Sequence, residues 1–148
     1  MDWLIQVTGI ADSEGEETTE TICRGVVQEL PPVTGGGFLF DYQTADDENP
    51  VDITANVITV NGERARILRK GSVNAEILVV PGETHPCIYE TAYGTLSFDI
   101  AGREVTVTKE ENRIVAGLSY EIQSGGDILS SNTIRITAEP VRTEKGND

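Results

Sequence analysis

Apolar and polar residues alternate along most of this chain. Leu96, Phe98 and Ile100 are interleaved with Thr95, Ser97 and Asp99, and Val105 and Val107 with Glu104, Thr106 and Thr108. Leu118, Tyr120 and Ile122 repeat the pattern, as do Ile134, Ile136 and Ala138. A period of two sends successive side chains to opposite faces of a strand, so each segment has one face for a core and one for water. No segment carries a convincing helical stripe. Turn signals separate the segments: Gly35-Gly36-Gly37, Asn61-Gly62, Gly71 to Asn74, Pro81-Gly82, Ala101-Gly102, Glu110 to Asn112 and Ser124 to Asp127. Asn61-Gly62 is the strongest, a pair suited to the positive φ angles of a type I′ hairpin. From there the signals recur about every 8–12 residues, the spacing of consecutive antiparallel strands.

Earlier strands are expected at Trp3 to Gly9, Thr18 to Leu30, Phe38 to Gln43, Val51 to Val60, Arg64 to Lys70 and Ala75 to Val80, with a short one at Tyr89 to Tyr93. About ten strands joined by hairpins, without crossover helices, leave a barrel or a two-sheet sandwich. Sequential hairpins favour the meander, because sandwiches usually need Greek-key crossovers. The expected fold is therefore all-β, a single antiparallel up-and-down β-barrel of about 8–10 strands. It occupies residues 1–142, and the polar residues 143–148 form a tail expected to be disordered. A barrel of this size can hold a small ligand, which makes its lumen the first place to look for function.

Composition supports strands. The 148 residues include 14 Val, 14 Ile and 16 Thr, against 8 Leu and 9 Ala. Branched side chains suit a pleated surface and lose χ1 freedom in a helix. The 11 Lys and Arg against 25 Asp and Glu leave a formal charge of −14, which repels nucleic acid and anionic membranes. Acids cluster at Asp12 to Glu20 and at Asp41 to Asp52 without a base among them. Solvated loops are expected at both, and Asp12 to Glu20 lacks the D-x-D-x-D-G spacing of an EF-hand loop. Met1-Asp2-Trp3 starts without a basic n-region, so a cytoplasmic setting with Cys23 and Cys87 reduced is expected. The single histidine, His85, excludes a His-pair metal centre, and no metal or other cofactor is expected.

The stretch Leu68-Arg69-Lys70-Gly71-Ser72-Val73-Asn74, then Gly82, then Tyr89-Glu90-Thr91-Ala92-Tyr93-Gly94-Thr95-Leu96, resembles the central signature of YwiB-like proteins. These are a small bacterial family of uncharacterised function, assigned to the lipocalin-like (calycin) β-barrels. The arginine-x-glycine turn and the tyrosine followed five residues later by glycine are carried by Arg69, Gly71, Tyr89 and Gly94. The specific motif covers residues 68–96. True lipocalins open with a Gly-x-Trp motif, and Trp3 has no Gly two residues before it. The resemblance implies a barrel and no chemistry, because fold does not carry function.

Strand parity singles out Arg69. If Ala65 and Ile67 face inward, Arg69 does too, near the end of its strand. The following turn would set it opposite Glu76, and two readings stand. One is a cross-strand ion pair at the rim; the other is a guanidinium fork offered to a ligand's carboxylate or phosphate. Arg24, between Ile22 and Val26 on one face, poses the same question. Tyr89 and Tyr120 are core or rim aromatics that would border such a ligand, so the candidate binding residues are Arg69, Glu76, Tyr89, Tyr120 and Arg24.

Catalytic signatures are thin. His85 and Cys87 would sit about 6.6–7 Å apart in an extended strand, too far for an automatic dyad, and Pro86 between them suggests a loop. There is no G-x-S-x-G and no Walker-type loop. The expected function is non-enzymatic binding of a small apolar or amphipathic ligand in the lumen, without nucleic acid or membrane partners. The alternative is an interaction or homodimerisation module with a packed interior. Small residues such as Ala55, Ala65, Ala116 and Gly117 would leave a hollow, whereas Phe38, Phe40, Phe98 and Tyr120 would fill it.

Overall fold

The computed structural model describes residues 2–34, 36–45, 53–61 and 63–141. Ten strands follow one another: β1 Trp3–Asp12, β2 Glu16–Glu29, β3 Phe38–Ala45, β4 Ile53–Val60 and β5 Ala65–Lys70 come first. Then come β6 Asn74–Val79, β7 Thr84–Thr91, β8 Gly94–Glu110, β9 Arg113–Ser124 and β10 Asp127–Pro140. Each pairs antiparallel with its sequence neighbours, and β1 with β10 closes the barrel. The up-and-down meander expected from the turn spacing is the fold. One short 3₁₀ turn, Pro32–Thr34, lies between β2 and β3, and no helix among the described residues is long and apolar enough to cross a membrane. The tail 143–148, the acids Asp46, Asp47, Glu48 and Asp52, Gly35 and Gly62 lie outside the described residues.

The alternating positions point as parity requires. Ile5, Phe40, Ile58, Ile67, Ile77, Ile100, Ile114, Leu118 and Ile136 are buried in one continuous core, while their strand neighbours are more exposed. Cross-strand register stacks this core in tiers. Phe38, Val60, Ala65 and Val79 pair in sequence across β3 to β6 and close one end of the barrel. The next tier, Phe40, Ile58, Ile67 and Ile77, is equally apolar. Of the residues that would leave a hollow, Ala65 and Ala116 do point inward, but Phe38, Phe40 and Tyr120 fill the space, and Ala55 and Gly117 lie on the outer parity. The interior is packed rather than hollow.

Three local expectations need correction. Of the acids expected in a solvated loop, Asp12 ends β1 and Glu16, Glu17 and Glu20 lie on β2. Tyr89 to Thr91 belong to a longer strand that begins at Thr84, Ala92 and Tyr93 form the turn after it, and the loop expected around Pro86 is strand as well. Ala101-Gly102 is no turn: β8 runs through it, with a bulge between Gly102 and Glu104. The glycine serves close approach instead of chain reversal. A Cβ at Gly102 would stand 2.3 Å from the carbonyl oxygen of Val80 and 2.7 Å from its nitrogen. The Gly102 N–H donates to the Glu83 carbonyl at 2.9 Å, and the Gly82 N–H donates to the Gly102 carbonyl at 3.1 Å. The turn between β6 and β7 is thus docked onto the β8 bulge through backbone, which no side chain can accommodate. Gly102→Ala is expected to destabilise the barrel by about 1–3 kcal/mol, the usual cost of overpacking. A urea unfolding curve measures it, and an unchanged midpoint would show that the contact is dispensable.

Candidate functional site

The third tier of the interior breaks the apolar pattern. Moving one step along the same register, Tyr42 faces Asn56, Asn56 faces Arg69, Arg69 faces Ala75 and Ala75 faces Tyr89. A polar layer therefore caps the apolar ones, at the end of the barrel that carries the β5–β6 and β7–β8 turns. Asn56 is the one fully buried polar side chain among the described residues. Its amide donates to Thr44 Oγ1 and to the Thr54 carbonyl, both at 3.2 Å, which ties β4 to β3 beneath the mouth.

Arg69 enters this layer as its parity requires, on the face of buried Ala65 and Ile67. Its position is fixed by the turn that follows. Gly71 has φ +148° and lies against the Ile53 carbonyl, where a Cβ would be 2.3 Å away. Asn74 braces the same turn, accepting from the Gly71 N–H and donating to its carbonyl, both at 3.3 Å. The half-buried guanidinium has no ion-pair or hydrogen-bond partner among the described residues. This is unusual, because a charge leaving water is normally paired.

Aromatic hydroxyls surround it. Burial pushes Tyr42 and Tyr120 up to about 12, and the positive charge of Arg69 opposes that rise in both. Burial also raises Tyr89, again against the pull of Arg69. All three phenols are thus protonated at neutral pH and able to donate a hydrogen bond. Tyr89 is held edge-on against Phe98, ring centroids 5.9 Å apart.

Two adjoining recesses open at this mouth, of about 240 and 200 Å³, and Arg69, Gly9, Thr19 and Ile134 line both. Tyr42, Thr44 and Asn56 complete the first; Tyr89, Tyr120 and Asn132 border the second. Gly9 occupies an inward position of β1, and its missing side chain leaves the space: a Cβ there would be 3.0 Å from Thr19 Oγ1. The lining is rich in hydroxyls and amides with a few aliphatic patches. Sequence reading missed Tyr42, Asn56, Thr19 and Gly9. Tyr42 and Asn56 were detectable, since both keep the inward parity of Phe40 and Ile58.

Two candidates are not brought to the mouth. Glu76 does not face Arg69: the short turn registers Arg69 with Ala75 and Leu68 with Glu76. Glu76 takes the opposite parity to buried Ala75 and Ile77, so it points outward and pairs with Arg66 on the outer face. Arg24 is likewise outside. Cys23 and Gly25 take the inward positions of β2, so the face shared by Ile22, Arg24 and Val26 is the outer one, and Arg24 approaches Asp2 at 3.8 Å. No dyad forms between His85 and Cys87, because His85 bonds Glu83 at 2.8 Å. Cys87 is buried and Cys23 half-buried; both are free thiols that burial pushes up.

A family model described as a domain of unknown function, DUF1934, matches residues 5–136. The chain belongs to this family. Its barrel also matches a solved structure, "Crystal structure of ywiB protein from Bacillus subtilis", with a TM-score of 0.78 at 15% identity, covering 95% of this chain and 92% of that one. The YwiB-like resemblance stands on these two findings, and the up-and-down barrel on the strand order itself. No curated protein matches this member of the family.

The tyrosine shifts make a pH prediction for this DUF1934 chain. In the unfolded chain Tyr42 and Tyr120 ionise near pH 10, but in the barrel only near about 12. A group whose folded pKa is raised stabilises the fold below its unfolded pKa and loses that contribution as pH rises through the folded value. Stability is therefore expected to fall between pH 10 and about 12, and Tyr120→Phe should make that fall shallower. Denaturant curves across this range check it; a slope unaltered by Tyr120→Phe would place the titrating group elsewhere.

Proposed function

We propose that the protein binds a small amphipathic ligand at the open end of the barrel, with the ligand's acid group on the Arg69 guanidinium. The observation that carries this reading is the inward, half-buried Arg69, which has no anionic partner among the described residues and lines both recesses. A guanidinium fork matches a carboxylate or phosphate bidentately. The protonated hydroxyls of Tyr42, Tyr89 and Tyr120 can add further donors, and Val7, Val73 and Ile134 offer a short apolar surface. The recesses are smaller than the about 300–1,000 Å³ of drug-sized pockets, which favours a small ligand. A packed interior favours a second reading, in which the barrel serves mainly as an interaction module.

Arg69→Ala separates a ligand role from a scaffold role. Glu76 already has Arg66, so removing Arg69 leaves no acid stranded, and stability should change by less than about 1 kcal/mol. Octanoate binding, followed by calorimetry, should weaken about tenfold or more in the same variant. Octanol should bind poorly to either protein. Octanoate binding equally well to wild type and Arg69→Ala, or failing to bind at all, would remove the support for this reading.

A further inference from the structure

Among the described residues the barrel wall is forked beside Arg69. β2 spans Glu16–Glu29 and is paired with β1 from Glu16 to Gly25. On its other side it meets β3 only from Gly25↔Tyr42 to Glu29↔Phe38. Continuing that register would join Arg24 to Gln43, Cys23 to Thr44 and Ile22 to Ala45, and none of these pairs forms. β2 and β3 fork at Gly25, and from Glu16 to Arg24 one edge of β2 has no strand against it among the described residues. Such an edge presents main-chain N–H and C=O groups at every second residue, which is a template for another extended chain.

The fork opens into the Arg69 site. Thr19 and Thr21 on the free stretch of β2 and Tyr42 and Thr44 on β3 line the same recess as Arg69. Beneath that recess the tier of Phe40, Ile58, Ile67 and Ile77 is fully packed, so a long acyl tail has no tunnel to descend. A ligand longer than its acid group has the mouth and the fork as exits, and along the fork β2 offers main-chain donors and acceptors that no strand takes up among the described residues.

Resting on the reading that Arg69 receives an acid, we propose that the ligand is an extended peptide bearing a free C-terminal carboxylate. The peptide adds as a strand to the Glu16–Arg24 edge of β2, with its C-terminus at the fork and its carboxylate on Arg69. Main-chain pairing supplies affinity, and capture of the terminal carboxylate sets the register. Charge selects among peptides. Glu16, Glu17 and Glu20 stand exposed along this edge, with no base before Arg24, on a chain of formal charge −14. Basic side chains upstream of the terminus are favoured, and the same acids disfavour edge-to-edge pairing with a second copy of the chain.

The test uses a dye-labelled Lys-Thr-Lys-Val peptide and fluorescence anisotropy with the full chain, beside octanoate calorimetry. Comparison peptides carry a C-terminal amide or N-methyl groups on one or the other alternating set of backbone amides. The free acid should bind wild type, with the amide and one of the two N-methylated peptides at least about tenfold weaker, and Arg69→Ala should lose the free-acid preference. Equal binding of the free acid and the amide, or full binding of both N-methylated peptides, would overturn the proposal. Arg69-dependent octanoate binding without peptide binding would overturn the peptide and leave the acid-binding site standing. Neither probe binding would overturn both.

Discussion

The continuous pairing of the first and last strands, from Trp3↔Pro140 to Asp12↔Ser131, is the constraint on which this structure depends. Closing a sheet on itself leaves each strand one face toward a shared interior, so a single inward parity must hold around the whole ring. The strands obey it together, and their inward side chains therefore meet in tiers instead of forming a single flat layer. Two tiers of aromatic and aliphatic residues exclude water from one end. That packing makes the polar layer above them a floor rather than part of a channel.

An unpaired charge at that floor has a cost, and its surroundings show how the cost is contained. Arg69 is only half-buried and opens on recesses connected to solvent, so part of its hydration is retained. It shares those recesses with the hydroxyls of Tyr42, Thr44, Tyr89 and Tyr120. The reciprocal effect appears on the phenols, which burial raises and the nearby cation restrains. Contrast the outer face, where Arg66 meets Glu76 in water and such a pair is worth about 0–1 kcal/mol.

The wall is not uniformly sealed. β6 and β7 pair only at Asn74↔Glu90 and Ala75↔Tyr89, and Pro86 lies in the remaining stretch of β7, where it cannot donate to a ladder. The fork between β2 and β3 has no such proline. It presents threonines and exposed acids, which discourage indiscriminate edge pairing. The two gaps are thus guarded by different means, and only the second adjoins Arg69.

What the sequence determined by itself is local and periodic. Alternation of side chains along a strand is a property of the backbone, so the strand-rich meander and the inward turn of Arg69 were readable from Ala65, Ile67 and the turn at Gly71. Parity is defined only up to a face, however. That is why Arg24 could not be placed from Ile22 and Val26, although both are apolar: on a two-sided strand the core face is chosen by the neighbouring strand. Register across a turn was equally illegible, and a one-residue difference moved Glu76 from the lumen to the outer wall. Gly102 looked like a turn because glycine permits both reversal and close approach, and only Val80 lying against it distinguishes the two. The recess itself joins Gly9, Thr19, Asn56, Arg69 and Ile134, residues far apart in the chain. Tertiary structure alone decided it, because a cavity is the space left when distant strands close around a position where one of them has no side chain.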